Sequence, residues 1–144
     1  ANTVKKYLVE AYGFREENII YLENASLSDF NAVFGNETIH TGKLYSYVKP
    51  NQSEVFVYYS GHGAPDLANK QGYFVPADAD ANMVGLSGYP VSRMFANLSK
   101  IPYKSLTVVL DACFSGASEG GMLIREASPV YLKSSVQVMN DEKS

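Results

Sequence analysis

The 144-residue chain predicts an α/β domain, a mainly parallel β-sheet flanked by helices. Two observations carry that expectation. The runs Val55–Tyr59 (Val-Phe-Val-Tyr-Tyr) and Leu106–Leu110 (Leu-Thr-Val-Val-Leu) are rich in β-branched, aromatic and aliphatic residues, as buried strands are. Stretches with apolar residues at helical spacing lie between and before them, and strands alternating with helices give a parallel sheet with right-handed crossovers.

Taken in order, Val4, Tyr7, Leu8, Ala11 and Tyr12 recur at helical spacing, and Gly13 supplies a stop. Asn18–Leu22 reads as a short strand. Ser26 and Asp29 form the pattern of a capping box, opening a short helix that ends near Gly35. Residues 40–48 read as a further helix, stopped before Pro50. The strand from Glu54 leads to Gly61-His62-Gly63. Tyr73–Pro76 is extended and expected at a sheet edge, because proline cannot donate to a ladder. Val91, Met94, Phe95 and Leu98 mark an amphipathic helix. The strand Leu106–Leu110 then leads to Asp111 and Cys113. Beyond Gly116 the patterning weakens: 117–144 reads as a loop-rich tail, with Val130–Met139 extended but unpartnered and 140–144 polar.

The totals exclude several function classes. Lys and Arg number 12 against 15 Asp and Glu, a formal charge of −3 with no basic cluster, so nucleic acid is not an expected partner. No apolar run approaches the roughly 18 residues of a membrane span. A single cysteine rules out an internal disulfide and a cysteine-rich metal site. Four Asn-x-Ser/Thr sequons, at Asn24, Asn36, Asn51 and Asn97, read as caps and turns. Asp78-Ala-Asp80-Ala-Asn82 starts like a calcium loop, but Met83 stands at the glycine position and Tyr89 at the closing glutamate, so a solvated loop is expected.

The chemistry converges on two residues. Both apolar runs end in small residues plus one reactive side chain: His62 after the first, Cys113 after the second. Reactive groups in open α/β sheets sit beyond the strand ends, and an imidazole beside a thiol is the minimum for an activated sulfur nucleophile. Asp111 lies two residues before Cys113, so on an extended strand both point to one face. A bare carboxylate there disfavours a thiolate, which makes sense if a cationic substrate group neutralises it. A lysine or arginine just before the scissile bond is therefore expected. Neither motif has an arginine nearby to attract an acidic residue.

Tyr-Ser-Gly-His-Gly (59–63) and Asp-Ala-Cys-Phe-Ser-Gly (111–116) together resemble the caspase-like cysteine peptidases, closest to metacaspases and their bacterial relatives the orthocaspases. The resemblance implies a caspase-like fold, with 1–144 as the large-subunit part. Its first strand is then expected before residue 1 and its small-subunit strands after residue 144. It makes His62 and Cys113 the catalytic dyad and the backbone N–H groups of Gly63 and Cys113 the oxyanion donors. Cleavage after Lys or Arg, as in metacaspases, fits Asp111. Animal caspases carry glutamine where Asp111 stands, and Phe114 replaces the histidine common in metacaspases. The expected partners are a protein or peptide substrate and the small-subunit remainder of the same precursor, with no membrane, in the cytoplasm. No cofactor or metal residue is assigned, and calcium activation stays open. Autocatalytic processing in the tail would use Arg125, Lys133 or Lys143. The rival readings are a catalytically silent interaction module and another thiol hydrolase. A glutaminase would place its histidine after the cysteine, and a legumain-type peptidase would carry Glu at position 111.

Overall fold

The computed structural model describes residues 2–66 and 71–112. Helix α1 (Asn2–Tyr12) opens the chain. Helix α2 (Leu27–Phe34) starts on the anticipated capping box: Asp29 N–H donates to Ser26 Oγ at 3.1 Å, and Ser26 N–H donates to Asp29 Oδ2 at 2.9 Å. Such a box satisfies two of the four orphan N–H groups at a helix start. Helix α3 (Lys43–Tyr47) is shorter than the 40–48 stretch predicted, because Gly42 is its N-cap. There the backbone runs so close to α2 that a Cβ on Gly42 would lie 2.5 Å from the Val33 carbonyl.

The parallel sheet forms between β1 (Glu54–Ser60) and β5 (Ser105–Asp111). Their register runs without a break from Glu54 opposite Ser105 to Ser60 opposite Asp111. Val55, Val57, Leu106, Val108 and Leu110 are buried on one face. They pack with Phe30, Phe74, Tyr89, Val91, Met94 and Leu98 in one cluster. Helix α5 (Val91–Leu98) contributes the last three, at the spacing the sequence showed. Each such side chain, fully buried, stabilises the fold by about 1.5–3 kcal/mol.

Two expectations are corrected. Asn18–Leu22 is not a strand. Glu16–Asn18 form a 3-10 turn, with Ile19 N–H donating to the Glu16 carbonyl at 3.0 Å. Ile19 is extended, but residues 19–22 join no ladder among the described residues, and an apolar run without a partner strand is not a strand. The second correction concerns Tyr73–Pro76. Its strand, β3 (Gln71–Phe74), is central in an antiparallel ribbon ordered β2-β3-β4, between β2 (Gly63–Asp66) and β4 (Tyr89–Pro90). Pro76 lies two residues past its end, so it takes no donor from the ladder. The proline in β2, Pro65, does sit on an edge strand of this ribbon.

A short helix, α4 (Val84–Ser87), follows the Asp78–Asn82 loop. That loop has a structural role: Asp78 Oδ1 accepts from Leu27 N–H at 3.0 Å, and Asp80 Oδ1 from Asn82 N–H at 2.9 Å. The four sequon asparagines also act in the fold. Asn24 and Asn51 hold positive φ in turns (53° and 59°), and Asn36 Oδ1 accepts from Thr38 and Ile39 N–H. Asn97 is buried at 4% exposure and donates to the Phe34 and Asn36 carbonyls. The expectations for Ser115, the 117–144 tail and the cut sites Arg125, Lys133 and Lys143 lie outside the described residues. No described helix is long and apolar enough to cross a membrane.

Candidate active site

The parallel pairing of β1 and β5 decides what meets at the sheet's C-terminal edge. Ser60 and Asp111 are opposite partners at that edge, and Gly61 N–H donates to the Asp111 carbonyl at 3.4 Å. Neighbouring strands run about 4.8 Å apart. His62 therefore follows two residues after Ser60, and Cys113 follows two residues after Asp111, on adjacent strands in matched register. Cys113 itself lies outside the described residues. Ala112, the residue before it, is buried.

His62 occupies the turn between β1 and β2, with its side chain exposed. Two donors fix its backbone carbonyl: the Tyr59 hydroxyl at 2.7 Å and the Val75 N–H at 3.1 Å. No hydrogen bond of the imidazole occurs among the described residues, which leaves both ring nitrogens open to a substrate or a thiol. Burial pushes the Tyr59 phenol above its ordinary pKa, so it is a neutral donor through the physiological range.

Gly63 begins β2 opposite Phe74. The Val75 N–H to His62 carbonyl bond makes Gly63 and Phe74 a non-hydrogen-bonded pair of the antiparallel ladder. The Gly63 N–H consequently points away from β3 and is not used by the ribbon. An oxyanion donor must be unspent in this way.

Asp111 ends β5 with its side chain exposed. No lysine or arginine among the described residues forms an ion pair with it; the ion pairs there are Arg15–Glu17 and Arg93–Glu37. Ser60, read from the sequence as a turn residue, closes β1 instead. Among the described residues no group of three or more His, Cys, Asp or Glu is placed to hold a metal ion. A cavity of about 470 Å³ bounded by Asn31, Tyr73, Pro90 and Arg93 lies elsewhere and includes neither His62 nor Asp111.

The structure thus brings His62, Gly63 and Asp111 to one sheet edge. Tyr59 was missed as part of this site, because eleven tyrosines read as packing. The available signal was its place two residues before a glycine. A Cβ on Gly61 would lie 2.7 Å from the Tyr59 hydroxyl, so the ring folds back over that position.

No curated protein and no solved structure matches the chain. The family model of the caspase domain, a group of cysteine peptidases, matches residues 1–142. With a parallel α/β sheet whose adjacent strands lead to a histidine and a cysteine, and with that match over nearly its whole length, the chain belongs to the caspase-domain family.

Proposed function

We propose that the chain is a cysteine endopeptidase of metacaspase type that hydrolyses peptide bonds after lysine or arginine, with His62 and Cys113 as its dyad. Cys113 Sγ attacks the scissile carbonyl carbon, and the carbonyl oxygen becomes an oxyanion. The N–H groups of Gly63 and Cys113 stabilise that oxyanion; one such donor is worth on the order of 10²–10³ in rate. His62 gives a proton to the leaving amine as the C–N bond breaks, which leaves a thioester on Cys113. His62 then takes a proton from water, the hydroxide attacks the thioester carbonyl, and the acid product leaves as the thiolate reforms.

The observation that carries this reading is the register that sets Ser60 opposite Asp111, with one reactive residue two positions beyond each. The unspent Gly63 N–H supports the oxyanion role. The exposed Asp111 carboxylate, with no cationic partner among the described residues, supports a basic substrate residue. On this reading the small-subunit remainder of the same precursor completes the substrate cleft.

A fluorogenic peptide panel tests it. Peptides ending in Arg or Lys are expected to be cleaved, and those ending in Asp to be inert. Cys113→Ala and His62→Ala are expected to lose cleavage. Asp111→Asn should lower kcat/KM for the Arg peptide roughly 10- to 100-fold, the worth of a charged hydrogen bond. Preference for Asp over Arg would overturn the specificity, and an active Cys113→Ala protein would overturn the dyad.

A further inference from the structure

We propose that Tyr59 is a positioning residue for His62: its hydroxyl, by clamping the His62 carbonyl, fixes the turn that aims the imidazole. The catalytic part of this inference rests on the proposed role of His62; the clamp itself rests on geometry alone. Tyr59 lies near the end of β1, and its ring is held on three sides. It meets Phe74 at 4.6 Å between centroids, meets Phe30 at 6.0 Å, and joins the main apolar cluster. A rigid ring carries the hydroxyl to a fixed point, where it lies 2.7 Å from the carbonyl oxygen of a residue three positions on.

The local sequence is built around this clamp. The ring folds back over Gly61, where an added Cβ would stand 2.7 Å from the hydroxyl and 2.9 Å from Cζ. Gly61 is not at positive φ, so alanine is compatible with the backbone there and the phenol tip alone opposes it. The second bond to the same carbonyl, from Val75 N–H, comes from the segment after β3. The His62 peptide is thus held between the sheet's own strand and the ribbon. The side chain that leaves this peptide is exposed and makes no hydrogen bond among the described residues, so its direction depends on the backbone beneath it. Tyr59 does not touch substrate on this reading; it acts through His62. A misplacement of about 1 Å in a reacting group costs up to roughly 100-fold in rate.

The test compares Tyr59→Phe, Gly61→Ala and the double variant in the full chain. Phenylalanine keeps the ring and its packing and removes only the donor. Alanine at 61 keeps the donor and displaces it. With an Arg peptide, each single variant is expected to lower kcat roughly 10- to 100-fold with KM within about twofold. The double variant should be no worse than the poorer single, since both break one contact. A second readout does not depend on catalysis. The chain has two histidines, so the imidazole carbon–proton NMR signals of His62 and His40 can be followed separately. His40 packs edge-on against Tyr45 at 5.3 Å and serves as the internal control. Tyr59→Phe should broaden or double the His62 signal and leave that of His40 unchanged. A His62 signal unmoved in both single variants overturns the clamp, whatever happens to rate. A moved His62 signal with unchanged kcat, in an enzyme that His62→Ala inactivates, overturns the catalytic consequence. An active His62→Ala protein instead overturns the function proposed for His62, and the NMR result alone then decides the clamp.

Discussion

Tyr89 shows how much a single residue can couple the fold to its solvent. It is 0% exposed, its ring stacks on Phe30 at 5.4 Å, and its hydroxyl donates to the Gly35 carbonyl at 2.8 Å. Burial pushes its phenol up to about 12, against the weaker opposing pull of the Arg93 guanidinium, which lies 5.6 Å from the ring. Below pH 10 both folded and unfolded chains keep the proton, and the stabilisation is fully present. Between 10 and 12 the unfolded chain ionises while the folded one does not, so stability falls, on the order of 2 kcal/mol by the top of that window. Tyr89→Phe should lose that pH dependence while costing about 1–3 kcal/mol at pH 8, because the Gly35 carbonyl is left without its donor. Urea unfolding midpoints at pH 8 and pH 12 check it. Tyr59, also raised by burial, is common to both proteins, so an equal alkaline loss in the two would refute the assignment to Tyr89. At this scale the sequence was readable where chemistry is unusual. His62 and Cys113 stood out because each follows an apolar run and is flanked by small residues. The duties of Tyr59 and Tyr89 were not readable, since a hydroxyl meeting a carbonyl depends on the path of the chain. Asn97 is similar: its partners, Phe34 and Asn36, are 63 and 61 positions away.

Among the elements, α2 has its limits written most clearly into the chain. Ser26 and Asp29 start it, and Gly35 ends it at φ 87° and ψ −173°, a region essentially reserved for glycine. Gly35 N–H donates to the Asn31 carbonyl at 2.8 Å, and an added Cβ would meet the Ile39 carbonyl at 2.1 Å. Gly13 makes a useful contrast, with φ 75° but no atom within 4 Å of its Cβ position. Gly13→Ala should cost about 1–2 kcal/mol, the left-handed penalty alone. Gly35→Ala should cost more, because strain of about 1–3 kcal/mol adds to the backbone clash. Thermal and urea unfolding of the two variants would measure the difference, and equal losses would contradict it. The readable elements are those whose signals are local: the α2 box, the 3.6-residue period of α5, the apolar runs of β1 and β5. The ribbon β2-β3-β4 was not readable. Gly-Ala-Pro-Asp and Gln-Gly-Tyr-Phe carry weak strand signals, and they are strands because they pair with each other. Asn18–Leu22 errs the other way: its composition suits a strand, but no ladder partner reaches it among the described residues.

Across the whole molecule, burial is uneven, and stability should be uneven with it. One face of the β1–β5 pair is sealed by Phe74, Tyr89, Met94 and Leu98. On the other face Phe56, Tyr58 and Val109 are half-buried, while Thr107 and Asp111 are exposed. Helix α1 is the least anchored described helix of any length. The sequence marks Val4, Tyr7, Leu8, Ala11 and Tyr12 as its inward stripe, yet only Leu8 is buried, and it stands outside the main cluster. Tyr7 is 57% and Tyr12 66% exposed, and their rings meet each other edge-on at 5.3 Å. The helical period was legible, but period alone does not say whether a stripe finds a surface to cover. Lys5, 5.2 Å from the Tyr21 ring, ties the helix to the 19–22 segment through an exposed contact worth about 0.5–1 kcal/mol. Local opening free energy follows buried apolar contact, so α1 amides should exchange with solvent deuterium well before those of β1 and β5. The sheet edge that bears His62 and Asp111 is built on β1 and β5, so opening of α1 should leave it in place. Hydrogen-exchange mass spectrometry resolves the two regions, and α1 protection equal to that of β5 would show the helix to be part of the same cooperative core.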